Sequence, residues 1–288
     1  MGYNWHESKM RKYLFILSTF VLFACGSCQK YAGDPVTQDF NIEDSYTELQ
    51  VESGFVVTVS DMVTAVTITA GENIMPKVLV EKVGNKLRIH LKPMTNTFGS
   101  DMKVILPYNA DLTDVDLSGA SEFHSEYGLV GEKVDVELSG ASTFDSNISA
   151  DKLEIDLSGA SDLFGGIVAD EIDMDLSGAS KIEGQVTATD LDLELSGGSD
   201  AILEGEVNKL ELNLSGASNI IKKVVGSRYA LVCDQCEGEM SGASDAYIHC
   251  DGSIKVNLSG GSELHYTGNA ATTGCNCSGG SVISHDVL

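Results

Sequence analysis

The sequence has few basic residues, few cysteines and no long apolar run. Only 18 lysines and arginines stand against 43 acidic residues, which gives a formal net charge of −25. Nucleic acids and anionic membrane surfaces are therefore excluded as partners, because both require a basic patch. The seven cysteines are too few and too scattered for a disulfide scaffold. Cations, cationic surfaces and neutral glycans remain as ligand classes.

Motifs for catalysis are also missing. The sequence contains no Gly-x-Ser-x-Gly, no phosphate-binding loop and no zinc-ligand spacing. Cys233-x-x-Cys236 has no second such pair within the repeats and no partnering histidine. His124 and His265 fall on one outward column but many coils apart, which is typical of surface histidines. The sequence therefore predicts no catalytic residue, no metal site and no cofactor.

What the sequence does contain is one short phrase repeated nine times, of which Leu157-Ser158-Gly159-Ala160-Ser161 is a clean copy. A near-constant period of about 20 residues is the signature of a solenoid, in which each repeat buries its apolar side against its neighbours. The spacings between successive marker glycines are 21, 19, 19, 19, 19, 26, 18 and 19 residues. The marker glycines are Gly119, Gly140, Gly159, Gly178, Gly197, Gly216, Gly242, Gly260 and Gly279.

Residues before each marker glycine alternate with a period of two, which predicts a strand with one buried face. In one coil the apolar positions are Leu153, Ile155 and Leu157. The phrase itself is predicted to form a corner, and a second short strand follows it. We therefore predict an all-β protein with a single-stranded parallel β-helix of about 19-residue coils over residues 113–288, right-handed by the crossover preference. Further inward columns are expected four residues past the glycine, as at Phe123 and Phe144, and eight past it, at Tyr127, Ile148, Ile167, Val186 and Val224.

Residues 39–112 lack the phrase but still alternate, and they are predicted to form a β-rich section that caps the first coil. Between Gly216 and Gly242 the period is longer, and Lys222, Lys223 and Arg228 concentrate there, which predicts a protruding loop. The strands predicted in the N-terminal section are Tyr46–Val51, Phe55–Val59, Ala65–Thr69, Lys77–Glu81, Leu87–Leu91 and Met102–Leu106.

The N-terminus is typical of an export signal. Arg11 and Lys12 precede a 12-residue apolar run that is too short to span a bilayer. Residues 22–25, Leu-Phe-Ala-Cys, resemble a bacterial lipobox, which implies a signal peptide over residues 1–24, or from Met10 if translation starts there, and lipidation of Cys25. Cys28 is a weaker alternative acceptor, and an ordinary cleaved signal peptide is the other interpretation. Residues 25–38 are predicted to be a flexible tether, which places the protein at the cell envelope as an outer-membrane lipoprotein, periplasmic or surface-exposed.

The remaining cysteines are interpreted as buried small hydrophobes. Cys236, Cys275 and Cys277 fall on inward columns. Cys233 aligns with the small column of Ala150, Ala169 and Ala188, and Cys250 is expected to align with Ile148 and Ile167. Because Cys233 and Cys250 fall near one another in successive coils, a disulfide between them is an alternative hypothesis.

The intervening, outward positions of the strands form an acidic ladder. Unit charges ~4.8 Å apart repel by about 0.9 kcal/mol in water, so the ladder does not serve stability. One hypothesis is a face that binds Ca²⁺ or a cationic partner, and the alternative is a solvated face that prevents aggregation. The ladder residues are Asp135, Glu137, Glu154, Asp156, Asp173, Asp175, Asp192 and Glu194.

The patterns around Phe40, Tyr46, Gly54-Phe55 and Gly84, followed by the Leu-Ser-Gly-Ala-Ser coils, resemble the family described as putative auto-transporter adhesin, head GIN domain, common among Bacteroidetes lipoproteins and secreted proteins. The resemblance covers residues 40–288. It implies a β-helical extracytoplasmic protein and supplies no catalytic residue.

We therefore expect a non-enzymatic envelope lipoprotein with an adhesin or surface-binding role toward a glycan, envelope or host-surface ligand. Two alternatives remain. A polysaccharide-active β-helix enzyme would need a carboxylate pair that breaks the repeat. A structural protein would polymerise through its coil ends. The sequence leaves the oligomeric state open.

Overall fold

The structure, a computed structural model, describes residues 32–43, 45–97, 100–221 and 231–286. In these ranges it is almost entirely β, with one short 3₁₀ turn at Met75–Lys77, and no helix there is long and apolar enough to cross a membrane. The strands are β1 (Pro35–Phe40), β2 (Glu48–Val51), β3 (Val56–Ser60), β4 (Val66–Gly71), β5 (Val78–Val83), β6 (Lys86–Leu91), β7 (Lys103–Pro107), β8 (Asp114–Leu117), β9 (Glu122–His124), β10 (Leu129–Leu138), β11 (Thr143–Asp145), β12 (Ile148–Leu157), β13 (Asp162–Leu176), β14 (Lys181–Leu195), β15 (Asp200–Leu214), β16 (Asn219–Ile220), β17 (Leu231–Met240), β18 (Asp245–Leu258), β19 (Glu263–Thr267), β20 (Asn276–Cys277) and β21 (Val282–His285).

Equivalent residues of successive coils stack in parallel register, which confirms the predicted β-solenoid. Leu157 of β12 pairs with Leu176 of β13, which pairs with Leu195 of β14. Each of these leucines is 0–1% exposed, as are Ile155 and Leu193 in the neighbouring inward column. The hydrophobic core is therefore a set of stacked columns inside the coils. The handedness stays a prediction.

The repeated phrase forms the corner after the long strand of each coil. Gly178 has φ +78°, and a Cβ placed there would collide with the carbonyl oxygen of Gly159 in the coil before. Ala179 N donates to that same oxygen at 2.7 Å, so the corners are bonded along the stack. The second serine of the phrase is buried, and the Ser161 hydroxyl donates to Ser158 O at 2.8 Å. Glycine is required for close approach and serine for satisfying a buried carbonyl.

The N-terminal section forms coils of its own, and their order in space differs from their order in the chain. β2 lies between β6 and β8 and is parallel to both, while β3 lies between β7 and β9 in the same way. The chain therefore builds one coil, leaves it, builds a second coil on its outer side and returns to start the repeats. Antiparallel strands close that outer end: β5 pairs with β6, and β4 pairs with β7.

Strand positions in this section agree with the prediction to within two residues for β2 to β7. β1 is different, because residues 35–38 were assigned to the tether. Their backbone pairs antiparallel with β4, with Val36 opposite Ala70 and Gln38 opposite Ile68. The tether prediction is therefore too long at its C-terminal end, since a free edge of β4 was available to pair.

Two residues were assigned to wrong columns because the coils differ in length. Tyr127 was predicted to point inward, but it is 41% exposed, and Leu129 pairs with Ile148 in its place. Cys250 pairs with Cys233 in the small column, whereas Ile248 pairs with Leu231 in the column predicted for Cys250. From the first inward residue after the corner, Ala246, to Ile248 is two residues, whereas the same step in β13, from Leu163 to Ile167, is four. A bulge after Cys250 then restores the register.

Some predictions fall outside the described residues. They are the signal peptide at 1–24 with its alternative start at Met10, the acceptors Cys25 and Cys28, the inward position of Val224, and the loop with Lys222, Lys223 and Arg228.

Candidate functional site

The acidic residues of the long strands form two parallel columns on one outer face. Column A contains the residues five before each marker glycine, and column B those three before it. Asp135 pairs with Glu154 in column A, and Glu137 pairs with Asp156 in column B. Column A comprises Asp114, Asp135, Glu154, Asp173, Asp192, Glu211 and Glu237, and column B comprises Asp116, Glu137, Asp156, Asp175, Glu194 and Glu239, with Asn213 between the last two.

Non-acidic residues border this face at both ends. Toward the N-terminal section, Lys86 and Arg88 continue the two columns beyond β2, and Lys86 Nζ lies 3.4 Å from Glu48. At the other end Lys255 follows Glu237 in column A, and Asn257 follows Glu239 in column B. Columns A and B are therefore bounded at both ends.

Lysines two residues before column A neutralise part of it. Lys133 Nζ lies 3.0 Å from Asp135 and 2.9 Å from Glu154, so it bridges two coils. Lys209 Nζ bridges Glu211 and Glu237 at 3.4 and 2.6 Å in the same manner. Hydrogen bonds from these lysines lower the pKa of Glu154 and of Glu237.

Column B lacks such partners. Among the described residues, Glu137, Asp156, Asp175 and Glu194 have no basic group within 4.0 Å, and Asp116 accepts only the Gln50 amide at 2.7 Å. Partial burial, followed by the nearby charge of Asp175, raises the pKa of Asp156. Column B lines one wall of an open groove of about 490 Å³, whose other wall is formed by corner serines including Ser139 and Ser158.

The structure thus brings all eight predicted ladder residues together over four consecutive coils, in β10, β12, β13 and β14. Their role in binding stays a prediction. Sequence reasoning overlooked the neutralising lysines, although Lys133, Lys152 and Lys209 recur seven residues before a marker glycine. In the described ranges, no group of three His, Cys, Asp or Glu side chains has the geometry to hold a metal ion.

The other candidate groups are separate from this face. His124 and His265 each lie 3.2 Å from a glutamate two residues earlier, at Glu122 and Glu263. The described cysteines are thiols, so the alternative disulfide between Cys233 and Cys250 is not formed. A hydrogen bond with Cys233, followed by burial, raises the pKa of the Cys250 thiol. Cys233, Cys236 and Cys250 are buried, as predicted, and they behave as core residues. Cys275 is only partly buried and Cys277 is exposed, so the prediction that Cys277 is a buried hydrophobe is wrong.

Comparison with solved structures shows the same fold elsewhere. A structure described as a putative lipid binding protein from Parabacteroides distasonis superposes with a TM-score of 0.60 at 17% identity, over 88% of this chain and 98% of that chain. A putative adhesin from the same species gives a TM-score of 0.58 at 19% identity, with the same coverage of each chain. No match was found among curated proteins.

The family assignment comes from the sequence profile. One family profile matches this chain twice, at residues 45–185 and 163–270, and so covers both the N-terminal coils and most of the repeats. The chain belongs to the family described as putative auto-transporter adhesin, head GIN domain.

Proposed function

We propose that this protein is a non-enzymatic, lipid-anchored module of the bacterial outer membrane that presents its acidic face to a cationic partner in an adhesin-like role. The observation that carries the proposal is the contrast between column A, where lysines bridge four of the seven carboxylates, and column B, where carboxylates such as Asp156 and Asp175 have no such partner. Unpaired, stacked carboxylates oppose folding, and a bound cationic surface removes that opposition.

The family name and one similar adhesin support a role at the cell surface. The other similar structure is described as a lipid binding protein. In this protein we assign lipid contact to the anchor at Cys25, because the described coils fill their interior with side chains such as Leu193 and Leu195, which are 0% exposed. An enzymatic role is not favoured, since the carboxylates of columns A and B repeat from coil to coil.

Isothermal titration calorimetry tests the acidic face. Purified full-length protein is titrated with spermine and, separately, with calcium chloride. We expect spermine to bind and its affinity to fall as salt is raised, because the attraction is electrostatic. The variant with Glu137→Gln, Asp156→Asn, Asp175→Asn and Glu194→Gln is expected to bind at least tenfold more weakly.

A matched variant controls for net charge. Four exposed carboxylates outside columns A and B are neutralised in it, by Glu132→Gln, Asp151→Asn, Asp170→Asn and Asp234→Asn. This control is expected to retain affinity to within about twofold. Equal losses in both variants, or no heat with either cation, would contradict a binding role and leave a face that only keeps the protein soluble.

The anchor is tested separately. Cells expressing the natural protein or its Cys25→Ser variant are labelled with radioactive palmitate and fractionated. We expect label and outer-membrane recovery for the natural protein and neither for the variant. Protease treatment of intact cells then distinguishes a surface-exposed module from a periplasmic one, and full protection would remove contact with host or glycan surfaces.

A further inference from the structure

Two exposed tyrosines lie against one another where the N-terminal coils meet the repeats. Tyr108 is 46% exposed and Tyr127 is 41% exposed, and their ring centroids are 4.7 Å apart at an interplanar angle of 32°. Among the described phenylalanines and tyrosines, these are the two that are exposed. By contrast, Phe123 and Phe144 stack inside the core at 0% exposure.

Three successive coils hold the pair in place. Tyr108 follows β7, Tyr127 follows β9, and the end of β3 lies between them. Tyr108 N donates to Ser60 O at 2.9 Å, and Asp61 N donates to the Tyr127 hydroxyl oxygen at 3.2 Å. The turn at residues 60–61 thus fixes the backbone of Tyr108 and the hydroxyl of Tyr127.

Tyr127 is present because the repeat is broken there. Four residues, 125–128, separate β9 from β10, whereas two, Ser146 and Asn147, separate β11 from β12. The two added residues turn outward at Gly128, which has φ +80°. The insertion leaves the core packing intact, because Leu129 takes the inward position opposite Ile148. It also exposes one aromatic ring beside another, which is typical of a binding site.

The chemistry of the patch favours a saccharide. The faces of aromatic rings carry partial negative charge and attract the weakly positive C–H groups of a pyranose ring. Polar groups lie beside Tyr127, because Asp61 N donates to its hydroxyl, Tyr127 N donates to the Ser125 hydroxyl at 3.2 Å, and the carboxylates of Asp61 and Glu126 are close enough to raise its pKa. Carboxylates at the edge repel uronic acids and sulfated sugars, which restricts the ligand to neutral or amino sugars.

The size of the tyrosine patch also favours a saccharide ligand. A stable protein interface needs about 800 Å² from each partner, whereas a tyrosine buries only about 150–250 Å². At 4.7 Å the two rings also cover one face of each other, so each leaves one outer face open, and this area suits one or two sugar units better than a protein. We propose that Tyr108 and Tyr127 form a saccharide-binding platform for neutral oligosaccharides. This proposal deepens the proposed adhesive function by adding a second contact, separate from the acidic face.

Saturation-transfer NMR with purified full-length protein tests the platform, with cellohexaose, maltohexaose, chitohexaose and mannan-derived hexasaccharide as probes and oligogalacturonate as the acidic comparison. We expect transfer to at least one neutral probe and none to oligogalacturonate. Tyr108→Ala and Tyr127→Ala are each expected to weaken binding about tenfold, since one aromatic contact contributes on that scale. No transfer to any neutral probe overturns the proposal.

Two further variants keep the test specific. Tyr127→Phe retains the ring and loses only the Asp61 hydrogen bond, so we expect affinity within about threefold of the natural protein. Tyr247→Ala removes a ring that stacks on His265 near the other end of the repeats, and it is expected to leave binding unchanged. Undiminished binding by the double alanine variant would refute the platform. Spermine titration of the tyrosine variants measures cation binding by the acidic face alone. Failure of the saccharide platform can therefore be distinguished from failure of the acidic face.

Discussion

The repeated coils and the N-terminal section are built on the same stacked core, but they tolerate very different local sequences. In the repeats each corner glycine after Gly119 packs against the glycine of the coil before, as Gly178 does against Gly159. In the N-terminal section Gly84 has φ +62° in a two-residue hairpin between β5 and β6, and nothing lies within 4 Å of its missing side chain. Both turns need a positive φ, and stacking adds a second requirement for glycine at the repeated corners.

The largest expected effect separates these two glycines. Gly178→Ala introduces both a strained positive φ and a collision with Gly159, and it should destabilise the protein by about 2–5 kcal/mol. Gly84→Ala has the strain alone and should cost about 1–2 kcal/mol. Chemical denaturation monitored by circular dichroism measures both. Equal losses would mean that backbone angle, rather than stacking, requires glycine at the corners.

A smaller effect is expected within one corner. Ser161→Ala removes the buried hydroxyl that donates to Ser158 O, and it should lower the free energy of unfolding by about 1–2 kcal/mol because that carbonyl loses a partner. The matched change Ser158→Ala removes an exposed hydroxyl with a long 3.3 Å contact to Leu138 O, and it should change stability by less than about 0.5 kcal/mol. The opposite ranking would show that the outer serine holds the corners together.

The smallest effect compares columns A and B on the same strand. The pKa of Asp156 is raised in the folded protein, so its stabilising contribution is present at acidic pH and is lost as pH rises through that pKa. The pKa of Glu154 is lowered, so its contribution is present at neutral pH and is lost as pH falls below about 4.3. Each effect should be no more than about 1 kcal/mol, because both groups are near the surface.

Substitution should therefore act in opposite directions. At pH 7 we expect Asp156→Asn to raise the melting temperature and Glu154→Gln to lower it. The difference for Asp156→Asn should shrink toward pH 3, because the raised pKa favours the protonated carboxyl there, and the difference for Glu154→Gln should shrink as pH falls through its lowered pKa. Thermal melts across pH 3 to 8 measure this. A fall in melting temperature for Asp156→Asn at pH 7 would mean that column B is already compensated by partners in the protein.

Much of the molecule follows from its sequence where the period is constant. The inward columns of Leu153, Ile155 and Leu157 and the outward ladder of Glu154 and Asp156 required only alternation and a fixed repeat. Predictions failed where the number of residues between the two strands of a coil changed, as at Tyr127 and Cys250. One or two residues more or fewer there move the next residues to another column until the register is restored. The strand at residues 35–38 was missed because its pairing partner, β4, is distant in sequence.

The sequence by itself determined the solenoid, its corners and the position of the acidic face, since a repeated pattern can bury its apolar columns only by stacking on copies of itself. Tertiary structure decided three further features. These are the insertion of β2 and β3 between β6–β7 and the repeats, the bridging of column A by Lys133 and Lys209, and the meeting of Tyr108 with Tyr127. Each depends on which coil lies next to which, and that order is set by strand pairing across the stack rather than by neighbours along the chain.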